Sequence, residues 1–205
     1  MKVYPPRDGE SHQQWFAGLA NPHHWLLTAD NLFEQCVRLH RQKGRGYLQF
    51  NDGRGKTLKW DVVDRSMFLL GGFALENAIK AFLVYENPNF VADGRLAREL
   101  RSHRLIALKN QSKLIPMPKR SEMIVAVFEE GIETWSRYPC GLTAQQSDMQ
   151  RWFTPELWTA YCGLMRRYGR TLKALLEKGW KGPHNTGGSW SFHDRSFLDV
   201  DGVSL

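Results

Sequence analysis

The feature that most constrains this chain is an apolar run at its centre, residues 67–85, MFLLGGFALENAIKAFLVY. Met67, Leu70, Ala74, Ala78, Ala81 and Tyr85 recur at steps of three and four, and Phe68, Leu75, Ile79 and Phe82 widen that stripe. The spacing predicts a helix buried on most of its sides. Its polar residues Glu76, Asn77 and Lys80 fall on one narrow arc when each residue is turned about 100° from the last. Glu76 precedes Lys80 by one helical turn, the order that favours an ion pair. These charges break the run short of the ~20 apolar residues a bilayer requires, so a soluble core helix is expected and no membrane span. An ionised carboxylate is costly to bury unless it is paired. A second cation is therefore expected in this polar core beside Glu76 and Lys80, with Arg137 as its candidate.

The remaining periodic segments arrange themselves around that rod. Asn21 and Pro22 form a helix start, and Leu26, Ala29, Phe33 and Cys36 continue it toward Gly44. Residues 44–60 change character: Asn51, Asp52, Gly53 and Gly55 are turn formers between two short aromatic and aliphatic segments, so a loop or small hairpin is expected there. Ser102 reads as the cap of a helix closed by Pro116 and Pro118, and a short helical turn fits between residues 92 and 101. Ser121 opens a helix with Ile124, Phe128, Ile132 and Trp135 inward, and Thr154-Pro155 opens a long one reaching Gly179. The expectation is an all-α, up-down bundle of four to five helices over residues 21–179. A polar N-terminal arm, 1–20, precedes it, and a Gly, Ser and His-rich tail, 180–205, follows, either draped over the bundle or free of it.

A formal net charge of +7 points to an anionic partner, with nucleic acid first. Three cysteines without C-x-x-C spacing indicate neither a disulfide framework nor zinc, and no secretory leader opens the sequence, so the reading is cytoplasmic. No glycine-rich phosphate loop, nucleophile elbow or H-E-x-x-H is present; no metal or cofactor is expected. The chemistry-bearing candidates are Arg98 and His103, in R-E-L-R-S-H: histidine exchanges a ribose hydroxyl proton near neutral pH and arginine neutralises a phosphate. As the first turn of a helix, His103 would face a positive dipole end, which favours the neutral base. Two basic clusters accompany them, one containing Arg101, Arg104, Lys109 and Lys113, the other Arg166, Arg167 and Arg170, and they form a phosphate-binding surface if they share a face. The competing reading is a pair of solvated helix faces.

Taken together, ALENAIKAFLV at 74–84, SHRLIAL at 102–108 and ETWSRYP at 133–139 before TPELW resemble the HEPN superfamily, most closely its bacterial members with A-L-E-x-x-x-K, G-H-x-L and W-x-R-Y-P motifs. Glu76 and Lys80 match the first motif, His103 and Leu105 the second, and Trp135, Arg137, Tyr138 and Pro139 the third. Ser102 replaces the glycine of the second motif, and Glu99 follows Arg98 where the nuclease motif usually has Asn, Asp or His. The resemblance implies a helical bundle that pairs into a homodimer and binds RNA or a nucleotide in a defence or toxin-antitoxin setting, with an antitoxin or defence protein as partner. It further implies either metal-independent endoribonuclease action through Arg98 and His103 or a non-catalytic interaction module.

Overall fold

The computed structural model describes residues 9–51, 53–55, 57–118, 121–138, 140–147, 152–193 and 197–200. Its first helix, α1 (His12–Leu19), starts where the Ser11 hydroxyl accepts the Gln14 N–H at 3.1 Å. This segment lies in the stretch expected to be a polar arm, but Ala17 is buried and Phe16 packs against the core. Helix α2 (Pro22–His40) follows, capped by the Asn21 side-chain oxygen, which accepts the His24 N–H at 2.9 Å. The chain then forms a hairpin in which β1 (Tyr47–Asn51) pairs antiparallel with β2 (Thr57–Asp61), Tyr47 opposite Asp61 and Leu48 opposite Trp60.

Helix α3 (Asp64–Glu86) is the apolar rod, and α2, α4, α5 and α7 all pack against it. Two glycines set how closely α5 approaches: a Cβ on Gly72 would come within 2.2 Å of Ile132 Cγ2, and one on Gly71 within 2.8 Å of the Phe128 ring. Small residues there let the helices meet backbone to side chain. Phe68 sits edge-on to Trp135 and Phe153 at ring separations of 4.5 and 4.7 Å, and the buried Tyr161 hydroxyl donates to the Gly71 carbonyl at 2.9 Å.

Beyond α3 come two 3₁₀ turns, Pro88–Val91 and Glu99–Arg101, then α4 (Leu105–Lys109), α5 (Ser121–Glu133), α6 (Ala144–Ser147) and α7 (Pro155–Lys178). Helix α4 is a single turn rather than the longer helix expected from Ser102 to Pro116, and Ser102 caps nothing: its hydroxyl accepts the Arg104 N–H, outside the helix. A turn this short supplies too few aligned peptides for the dipole argument about His103. In contrast, α7 begins as its Thr-Pro signal indicates, with Thr154 Oγ1 accepting the Leu157 N–H at 3.2 Å.

The described part of the tail is draped over the helices. Two short strands, β3 (Trp180–Lys181) and β4 (Gly187–Gly188), pair antiparallel. Trp180 is buried with its indole N–H donating to the Val84 carbonyl, Leu198 N–H donates to the Asp30 carboxylate, and Arg166 pairs with Asp199. The Phe197 carbonyl lies where a Cβ on Gly169 would be, 2.1 Å away.

The expectation of an all-α, up-down bundle of four to five helices is therefore corrected. The described chain is mixed and helix-dominant, with seven α-helices and two small antiparallel sheets. Two physical causes account for the difference. The two short aromatic and aliphatic segments pair as a true hairpin, and Gly187 and Gly188, with positive φ of 143° and 152°, give the tail an extended course only glycine adopts easily. By length and composition α3 could cross a membrane, but 78% of its most apolar window is buried inside the protein, consistent with a soluble chain.

Candidate functional site

Glu76 and Lys80 face inward from consecutive turns of α3, and both side chains are only 5% exposed. The Lys80 ammonium donates to Glu76 Oε1 at 2.6 Å and lies 5.7 Å from the Trp25 ring centroid. The second carboxylate oxygen, Oε2, meets His103 Nδ1 at 2.8 Å. His103 stands in the link between the Glu99–Arg101 turn and α4, edge-on to Phe73 at 5.9 Å, with its side chain 48% exposed. One buried carboxylate thus holds a buried ammonium on one side and a half-exposed imidazole on the other.

This arrangement has a chemical consequence. A carboxylate opposite an ammonium offers only acceptor oxygens, so the imidazole nitrogen facing it carries the hydrogen. The neutral ring then keeps its lone pair on Nε2, oriented by a partner that cannot move within the core. Two more carboxyl groups come from α5. Glu129 accepts the Ile106 N–H at 2.7 Å and so holds the start of α4. Glu133, one turn further along α5, has its carboxyl raised above the usual range by burial and by Glu129, against the opposing pull of Arg104 and His103.

Arg137, the expected second cation of the polar core, is elsewhere. After α5 the chain turns back on itself, with the Ser136 N–H reaching the Gly131 carbonyl at 3.1 Å, which buries Trp135 and leaves Arg137 exposed beside the Tyr138 ring. His103 takes the place at Glu76. Arg98 is exposed at the start of the Glu99–Arg101 turn, and among the described residues no side-chain hydrogen bond or ion pair joins it to His103.

The basic clusters divide similarly. Arg101 and Arg104 are exposed on either side of His103, and Lys113 is exposed beyond α4, its N–H donating to Glu86. Lys109 is paired with Glu122 at 3.4 Å. On α7, Arg166 is neutralised by Asp199 of the tail, while exposed Arg170 borders a small cleft with Lys173 and Phe197. Arg167 lines a different groove, about 590 Å³, with Pro118, Ser121 and Glu156 between the start of α5 and α7. Of the expected cations, Arg101 and Arg104 are the exposed ones next to His103 in the chain, and exposed Arg98 stands at the start of the preceding turn. Lys119, Arg120 and Pro139 lie outside the described residues.

No family model, curated protein or solved structure matches the chain. Its site must be read from its own geometry. Among the described residues no group of three His, Cys, Asp or Glu side chains is placed to hold a metal. His23 and His24 diverge, the first stacking on Trp190 at 5.5 Å and the second reaching the Leu19 carbonyl at 2.8 Å, while His184 contacts the Ala92 carbonyl. Glu129 and Glu133 were not singled out from sequence. Their only signal is spacing: they follow one another by one turn, beside the inward stripe of Ile132 and Phe128, and this says nothing about which helix start they face.

Proposed function

We propose that the protein binds RNA and cleaves it without a metal, using the Glu76 and His103 pair as its acid–base element. The observation that carries this reading is the buried Glu76 carboxylate at 2.8 Å from Nδ1 of a half-exposed His103. Catalytic imidazoles are commonly oriented by a carboxylate at the nitrogen opposite the reacting one. His103 Nε2 takes the proton from a ribose 2′-hydroxyl, the 2′-oxygen attacks the adjacent phosphorus, and the bond to the 5′-oxygen breaks. The products are a 2′,3′-cyclic phosphate and a 5′-hydroxyl. Arg98, Arg101 and Arg104 supply the positive charge for the phosphate, and water supplies the proton to the departing oxygen.

The HEPN-like motifs add the biological part of the proposal: a cytoplasmic homodimer acting in a defence or toxin-antitoxin setting beside an antitoxin or defence partner. Incubation of the purified protein with mixed RNA in EDTA, beside His103→Ala and His103→Gln variants, tests the chemistry. Cleavage by the parent and a loss of at least about a hundredfold in both variants is expected, the usual contribution of a general base. Background products from all three would remove the nuclease reading and leave an RNA-binding or protein-interaction module.

A further inference from the structure

The hairpin presents an arrangement that the His103 site does not use. Tyr47 and Trp152 are 56% and 48% exposed, and with Trp60 they line a cleft of about 360 Å³ against Lys43, Lys59 and Asp61. The Lys59 ammonium lies 3.6 Å from the Tyr47 ring centroid. Residues 41–61 carry six Lys or Arg against two acids, Asp52 and Asp61. The two carboxylates lining the cleft are already engaged. Asp64 is paired with Lys43, and Asp61 accepts the backbone N–H groups of Gly44 and Val63 at 2.5 and 3.1 Å. What the cleft offers a ligand is therefore aromatic faces and an uncompensated cation.

We propose that this cleft is a second nucleic-acid site, taking an unpaired base against Trp152 and the face of Tyr47 that Lys59 leaves uncovered, with its phosphate against Lys59. Aromatic rings beside cations are how single strands are held without sequence preference, each stacked base contributing its π-face and each phosphate its charge. The volume is at the lower end of small-ligand pockets, roughly 300–1,000 Å³, which suits one nucleoside rather than a duplex. Charge complementarity separates this occupant from an apolar peptide: a greasy partner alone would leave the Lys59 and Arg45 charges without a counter-charge.

Binding of the full chain to a fluorescent single-stranded RNA of about twelve nucleotides, against the same sequence annealed as a duplex, tests the inference. Tyr47→Ala and Trp152→Ala should each weaken single-strand binding about fivefold or more, the usual loss for one stacked base, and Lys59→Ala should flatten its salt dependence. Duplex binding should change little. All three side chains are surface groups, and an unchanged thermal melt checks that each variant folds. A dinucleotide cleavage assay in parallel reads the His103 site alone and should be indifferent to these substitutions, so the two proposals fail separately. Single-strand affinity unchanged in both aromatic variants would overturn the inference. So would equal loss of binding to anionic phospholipid vesicles with no RNA binding at all, which would make the cleft a membrane contact.

Discussion

The centre of α3 and the β1–β2 hairpin invert the ordinary division of residues in opposite directions. Glu76 and Lys80 are charges placed in the core, whereas Leu48 and Phe50 are large apolar side chains left 54% and 55% exposed on the surface. The charges are satisfied from within: Lys80 donates to one Glu76 oxygen and His103 meets the other. Leu48 and Phe50 have no such cover, each being more than half exposed. The comparison teaches that a buried exception, once all its partners are found, explains itself and the residue it presents. An exposed exception points outside the chain.

The strongest way to break this contrast is at Glu76. Glu76→Ala leaves the Lys80 ammonium buried without its partner, and urea unfolding should show a loss of about 3–5 kcal/mol. Replacing both, Glu76→Leu with Lys80→Met, should recover most of that stability while removing RNA cleavage. A single-variant loss below about 1 kcal/mol would mean the pair is solvated rather than internal.

Gly72→Ala examines the packing that keeps the pair internal. The added methyl overlaps Ile132 Cγ2, so α5 must shift, and a loss of about 1–3 kcal/mol in the same unfolding experiment is expected. A smaller effect is expected at the boundary between the two regions, where His40 closes α2 and stacks on Trp158 with ring centroids 4.0 Å apart. Burial, assisted by Lys43, lowers its pKa below the ordinary 6.5. The unfolded chain therefore binds the proton more readily, and this group's contribution is present above pH 6.5 and lost as pH falls through its folded value. Thermal melts of the parent should fall on acidification across that window, and His40→Gln should flatten the fall. The smallest effect belongs to the hairpin surface: Phe50→Ser should change unfolding stability by less than about 0.5 kcal/mol, because the ring contributes little to the core.

How much of this was legible in the sequence follows from how local each signal is. The apolar period of α3, the Asn21-Pro22 and Thr154-Pro155 starts and the Ser121 helix are contained in a few neighbouring residues, and each appears in the structure as an element. The one-turn pairing of Glu76 and Lys80 was legible for the same reason. The meeting of Glu76 with His103 was not, because 27 residues separate them and only the packing of α4 against α3 and α5 brings them together. Arg137 is expected in that core as a cation at the end of the helix over residues 124–135, and the turn after α5 carries it to the surface instead. The long α4 expected from its Ser102 cap failed because Ser102 bonds within the preceding link. The tail gave no period, since its anchors are single contacts, Trp180 to Val84 and Leu198 to Asp30, scattered through glycine-rich chain.

The proposed chemistry requires Glu76 to fix the tautomer of His103, and nitrogen-15 NMR of histidine-labelled protein at alkaline pH reads that directly. His103, assigned by the signal lost in His103→Gln, is predicted to carry its hydrogen on Nδ1 with Nε2 unprotonated. A His103 ring protonated on Nε2, or averaging between tautomers like a free imidazole, would contradict the oriented base on which the proposed chemistry depends.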